Sequence, residues 1–273
     1  VTNLPADADS DISHSQRIML SFTEAAQVET ALAPLIEPAE KSRLWLDNER
    51  APLYTVSAYA FNQMNVASGC IASLEQMMVR ETEREVSLTA NPFGAYTLVR
   101  GAFDAAATAL WLLEPESGTL RIKRRIQLAR DEAEKRESFL ETMGKPSDKD
   151  ERKARLKDAA EHARLGSWNP EQHKLPSMTR ILQQLERLHD GSANFPWLAA
   201  WQLSSGHTHG KQWAQISSHV VQELEGTRTE LGGTHAQLGL HYGLFALVLS
   251  EAVQMLEEAA VRYVVLAGGP PQT

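Results

Sequence analysis

Apolar residues along this chain recur three and four positions apart, the spacing of one helix face. The clearest case is the stretch 92–114. Val99, Phe103, Ala106, Leu110 and Leu113 form one stripe. Asn91-Pro92 predicts the start: a capping side chain, then a proline where a missing N–H is no loss. Pro115 predicts the stop. Gly101, Ala105 and Ala109 make a smooth ridge on which a neighbouring helix can approach closely. Arg100, Asp104, Thr108 and Trp111 lie on a third, polar strip.

The same periodicity predicts helices over 15–36, 40–48 and 52–84, with Pro34 and Pro38 ending the first and Gly69 a weak point in the third. A charged helix follows from a cap at Ser117 to about 143, with a thin apolar side of Ile122, Ile126, Ala129 and Ala133. Gly144-Lys145-Pro146 breaks it, and a second charged helix covers 148–165. The two read as a helical hairpin whose mixed charges form a solvated face. Residues 166–176 read as loop, 178–189 and 197–205 as helix, and Gly206 as a disturbance of the latter. The stretch 215–233 fits either a frayed helix or a hairpin with Val220, Val221 and Leu224 extended. A last helix spans 235–267. The expected fold is all-α: a bundle of long antiparallel helices with an additional charged hairpin at 117–165. A flexible arm (1–13), one helical-bundle domain (14–267) and a flexible tail (268–273) complete the expected organisation.

With 273 residues, 42% hydrophobic and 23% charged, the composition is that of an ordinary globular protein. A formal net charge of −8 argues against nucleic acid as a partner, since sequence-independent phosphate binding needs concentrated Lys and Arg. The lone cysteine, Cys70, rules out an intrachain disulfide and fits a cytoplasmic location. The acidic N-terminal stretch has no secretory h-region. The most apolar run, 243–256, is short for a membrane span and carries Ser250 and Glu251, so a core helix is expected and no membrane partner.

Candidate chemistry centres on Ser204-Ser205-Gly206-His207-Thr208-His209-Gly210. On a continuous helix His207 and His209 point about 200° apart and cannot share an ion. No His-Glu-x-x-His and no second cysteine is present, so no metal and no cofactor is expected. Arg100 and Asp104 can pair at i, i+4, or Arg100 can present its planar donor fork to an anion. Glu251 sits in an apolar helix and needs a partner, for which Arg100 is the candidate. Arg-x6-His occurs at Arg155…His162 and Arg228…His235, a spacing some helical ribonucleases use on a scissile phosphate. Tryptophans 197, 201 and 213 flank the histidines, as packing residues or as aromatic walls of a pocket.

Leu98-Val99-Arg100-x-x-x-Asp104, followed by Trp201-x-x-Ser204-x-x-His207-x-His209-Gly210, resembles a group of bacterial helical proteins that pair an Arg-x-x-x-acid helix with a Ser-x-x-x-His-Gly helix end. That group is similar in outline to the HEPN-like bundles, some of which are ribonucleases. Asp104 stands where Glu is more usual. The resemblance implies a metal-independent ribonuclease or other hydrolase, with His209 as acid/base and Arg100 stabilising charge. The residues themselves favour a binding protein. Its polar pocket would use Arg100, Asp104, Trp111, Ser205, His207, His209 and Glu251 to take a small polar or anionic ligand or a partner chain. A third reading is a structural dimerisation module, a homo-oligomer built through the charged hairpin.

Overall fold

The computed structural model describes residues 8–81, 86–89, 91–146, 148–189, 193–223 and 236–269. The fold is all-α, with two short antiparallel β-ribbons. Helix α1 spans Ala8–Leu32, starting ahead of the expected 15, and buries Ile18, Phe22, Ala25, Val28 and Leu32 at helical spacing. α2 covers Arg43–Arg50, where the Ser42 hydroxyl accepts from Trp45 N at 3.2 Å. α3 covers Val56–Met78.

The expectation that α3 runs to 84 is corrected. The apolar i, i+3, i+4 repeat ends at Met78, and Val79–Glu81 continues as strand β1 against β2, Val86–Leu88. Thr89 N donates to Met78 O at 2.8 Å and closes the ribbon at its base.

α4 is Pro92–Leu113, and Asn91 Oδ1 caps it by accepting from Phe93 N at 3.0 Å. α5 (Gly118–Thr142) and α6 (Lys149–His162) form the expected hairpin. Gly144, at φ 68°, ends α5 in a Schellman motif: Lys145 N reaches Leu140 O and Gly144 N reaches Glu141 O, both at 2.9 Å. The hairpin is more than a solvated face, since Arg121, Arg130, Glu137 and Arg152 are all buried. Arg121 Nε donates to Asp47 Oδ2 at 2.6 Å, and its Nη1 donates to Pro115 O at 2.6 Å.

α7 is Met178–Leu188, α8 Trp197–Thr208 and α9 Gln212–Ser218. Of the ambiguous stretch 215–233, residues 215–218 close α9 and 219–223 are extended. β3 (His219–Glu223) holds Val220 and Val221 and pairs with β4 (Ala236–Leu240); Leu224 lies outside the described residues. The last helix, α10, therefore covers Tyr242–Ala267 and not 235–267.

Internal contacts gather the chain into two units. Unit 1 takes residues 1–28, 66–104 and 186–256. Its buried side chains include Phe22, Ile71, Leu74, Tyr96, Phe103, Trp197, Phe245 and Leu249. Unit 2 takes residues 29–65, 105–185 and 257–273, with Leu44, Val56, Leu110, Ile122, Leu156, Leu182 and Tyr263 buried. Among the described residues no helix is long and apolar enough to cross a membrane.

Candidate anion-binding site

The site is built in unit 1 by α4 and the end of α8. Gly206 does not break α8, which continues to Thr208. A Cβ at 206 would stand 2.6 Å from the Ala214 Cβ and 2.9 Å from Trp213, so this glycine is where α9 packs against α8. Beyond its end, Gly210 takes the left-handed turn, with φ 61°. Lys211 N donates to Gly206 O at 2.8 Å and Gly210 N to His207 O at 2.9 Å, a second Schellman motif. His209 is the cap residue of that motif and is exposed. Trp201, Ser205 and His209 recur every four residues and so share one helix face.

That face meets the polar strip of α4. Arg100 Nη1 donates to His209 Nε2 at 2.9 Å. Arg100 Nε donates to Asp104 Oδ2 at 3.3 Å. Asp104 Oδ1 accepts the Trp201 indole N–H at 2.7 Å, and the Arg100 guanidinium lies 5.2 Å from the Trp201 ring centroid. The guanidinium is thus held by a carboxylate, an aromatic ring and an imidazole. An imidazole nitrogen that accepts from arginine carries no proton, so the His209 proton sits on Nδ1. Arg100 Nη2 has no partner among the described residues. Trp201, expected as a packing residue or an aromatic wall, also anchors Asp104 through its indole N–H. Its signal was the i, i+4, i+8 spacing with Ser205 and His209.

His207 points the other way, as helix geometry requires. It is buried and stacks on Tyr96, with ring centroids 4.1 Å apart and planes 7° from parallel. The Ser218 hydroxyl donates to Ala214 O at 2.7 Å, so His207 Nε2 donates to Ser218 Oγ at 2.6 Å. Nδ1 of His207 is buried without a partner. Burial, then the neighbouring His219 ring, push the His207 pKa down to about 4. His207 is thus a core residue.

Glu251 is also elsewhere, and the expected pairing with Arg100 is corrected. Its Oε1 accepts from Asn194 N at 3.1 Å and Phe195 N at 3.0 Å, while Glu186 Oε1 accepts from Leu198 N at 2.8 Å. The two carboxylates satisfy backbone donors at the entry to α8, the need that every helix start creates. Burial raises the Glu251 pKa against those two bonds. Trp111 belongs to unit 2, where its indole donates to Gln184 Oε1 at 3.0 Å and the Arg124 guanidinium lies 4.5 Å from its ring centroid.

Of the two Arg-x6-His pairs, Arg155 is on α6 and pairs with Glu151 at 3.5 Å and Asp148 at 3.7 Å. Arg228…His235 lies outside the described residues. Among the described residues no group of three or more His, Cys, Asp or Glu is placed to hold a metal ion. Comparison with protein-family models, with curated proteins and with solved structures finds no match to this chain.

Proposed function

We propose that the protein is a binding module for a small anionic ligand, taken up at Arg100 and His209. The observation that carries this reading is the guanidinium fixed at three points, on Asp104, Trp201 and His209, with Nη2 left over. An arginine whose plane is set in advance loses little entropy when it meets a carboxylate or phosphate, and its donors match those oxygens. Binding is favoured over the hydrolytic reading by the state of His209. Its Nε2 lone pair already accepts from Arg100. The atom a general base would use is therefore engaged.

The test is calorimetric titration with inorganic phosphate. Wild-type protein is expected to bind saturably, and Arg100→Gln to bind at least about tenfold more weakly, the loss of one charge-assisted contact. Arg100→Gln should keep its helical circular dichroism. Equal phosphate affinity in the two proteins overturns the proposal, and so does the absence of saturable heat from the wild type.

A further inference from the structure

Unit 2 contains a cavity of about 370 Å³ that the Arg100 site does not use. That is the small end of the range for ligand pockets, about 300–1,000 Å³. One face of α6 forms one wall: Lys153, Leu156, Lys157, Ala160 and Glu161. The spacing i, i+3, i+4, i+7, i+8 is that of a single helix stripe. The loop 166–171 forms the other wall, with Trp168 and Pro170 as its apolar members. Gly166, at φ 65°, makes the turn that brings this loop back along the helix. Leu156, Ala160 and Pro170 are buried, so the floor is apolar.

The charges around the cavity decide what kind of ligand suits it. Glu161 is taken by Lys157 at 3.6 Å. Glu171 lies 3.8 Å from Arg152 and 3.9 Å from Arg130, which also pair with Glu137 and Glu134, and its Oε1 is buried without a hydrogen bond. Lys123 lies over the Trp168 ring, 5.8 Å from the centroid. Lys153 is half-buried, lines the cavity and has no partner among the described residues. Both carboxylates have a cation within ion-pair distance, and Lys153 has no carboxylate there among the described residues. Lys153 is thus the cation left to meet a ligand, at an apolar cleft with an indole wall.

We propose that this cavity binds a small organic anion with a flat apolar body, such as an aromatic carboxylate. The ring would lie between the Leu156–Ala160 stripe and Trp168. The anionic group would meet the Lys153 ammonium. A partly desolvated lysine gains a charge-assisted bond there, and the ring removes apolar wall from water. A long acyl chain is disfavoured by the volume.

The experiment follows the emission of 2-naphthoate on titration with the full chain, with 2-naphthalenemethanol as the neutral analogue. Wild type is expected to bind naphthoate saturably and the alcohol about tenfold more weakly, the margin of one charge-assisted bond. Lys153→Gln should remove that margin and leave the alcohol unchanged. Ala160→Phe fills the cavity and should abolish binding of both, with helical circular dichroism retained. Lys153→Gln keeps the length of the side chain nearly unchanged and removes its charge, so it keeps the test decisive where Ala160→Phe misfolds. The proposal is overturned by an absence of saturable emission change with wild type. It is equally overturned by Lys153→Gln binding naphthoate as tightly as wild type, or by a folded Ala160→Phe protein that still binds it.

Discussion

His207 and His209 are two residues apart on one helix and live in opposite environments. His209 is exposed, and Arg100 donates to its Nε2 at 2.9 Å. His207 is buried under Tyr96 with one ring nitrogen unpaired, and its pKa falls from 6.5 to about 4. The consequence for stability has a definite sign. Above pH 6.5 the ring is neutral in both folded and unfolded chains. As pH falls from 6.5 toward 4 the unfolded chain takes a proton that the folded one refuses. Stability is lost across that window at up to about 1.4 kcal/mol per pH unit. Denaturant unfolding at pH 7.5 and 5.0 should show it. The stability gap between wild type and His207→Gln should narrow at the lower pH by roughly 1–2 kcal/mol. Parallel losses in the two proteins would show that His207 does not carry the penalty.

Among the elements, α8 does most to place the site, and its glycines act in opposite ways. Gly210 supplies the left-handed turn that ends the helix, and Gly206 supplies room for α9. An alanine at 206 improves helix propensity by about 1 kcal/mol, but its Cβ meets Ala214 and Trp213 inside contact distance. Overpacking of that kind costs about 1–3 kcal/mol, so Gly206→Ala should be destabilising on balance. Gly69 in α3 has nothing within 4 Å of where a Cβ would go. Gly69→Ala should therefore gain about 1 kcal/mol. Thermal melts of the two variants should move in opposite directions, and a stabilised Gly206→Ala protein would refute the packing role. A sequence displays a glycine but not its neighbours, which is why Gly206 read as a break. The ends of α4 and α5 were legible because their signals are local: Asn91-Pro92 at one, Gly144 at the other. The pairing of β1 with β2 was not legible. Three-residue strands are too short to show a period of two, and Arg80 and Glu81 look the same in a frayed helix.

On the scale of the whole molecule, the helical class was readable from periodicity alone, while the candidate site was readable only in part. Arg100, Asp104 and His209 come together because two helix faces, each legible by itself, meet in unit 1. Glu251 and Trp111 were drawn into the same set by composition: a carboxylate among leucines, and a tryptophan on the polar strip. What they bind, the 194–195 backbone and Gln184, is fixed by tertiary arrangement that no spacing rule encodes. The cavity beside Lys153 was invisible for a related reason, since its two walls come from α6 and a loop that had no motif of its own.

In the proposed anion site Arg100 holds His209 as the other half. Long-range proton–nitrogen NMR of the His209 ring at neutral pH tests it most directly, with His209→Gln to assign the signals. The bond from Arg100 predicts an Nδ1–H tautomer in the free protein. It also predicts ring-nitrogen shifts on adding inorganic phosphate that disappear in Arg100→Gln. An Nε2–H tautomer, or a ring that does not respond to phosphate in the wild type, would contradict it.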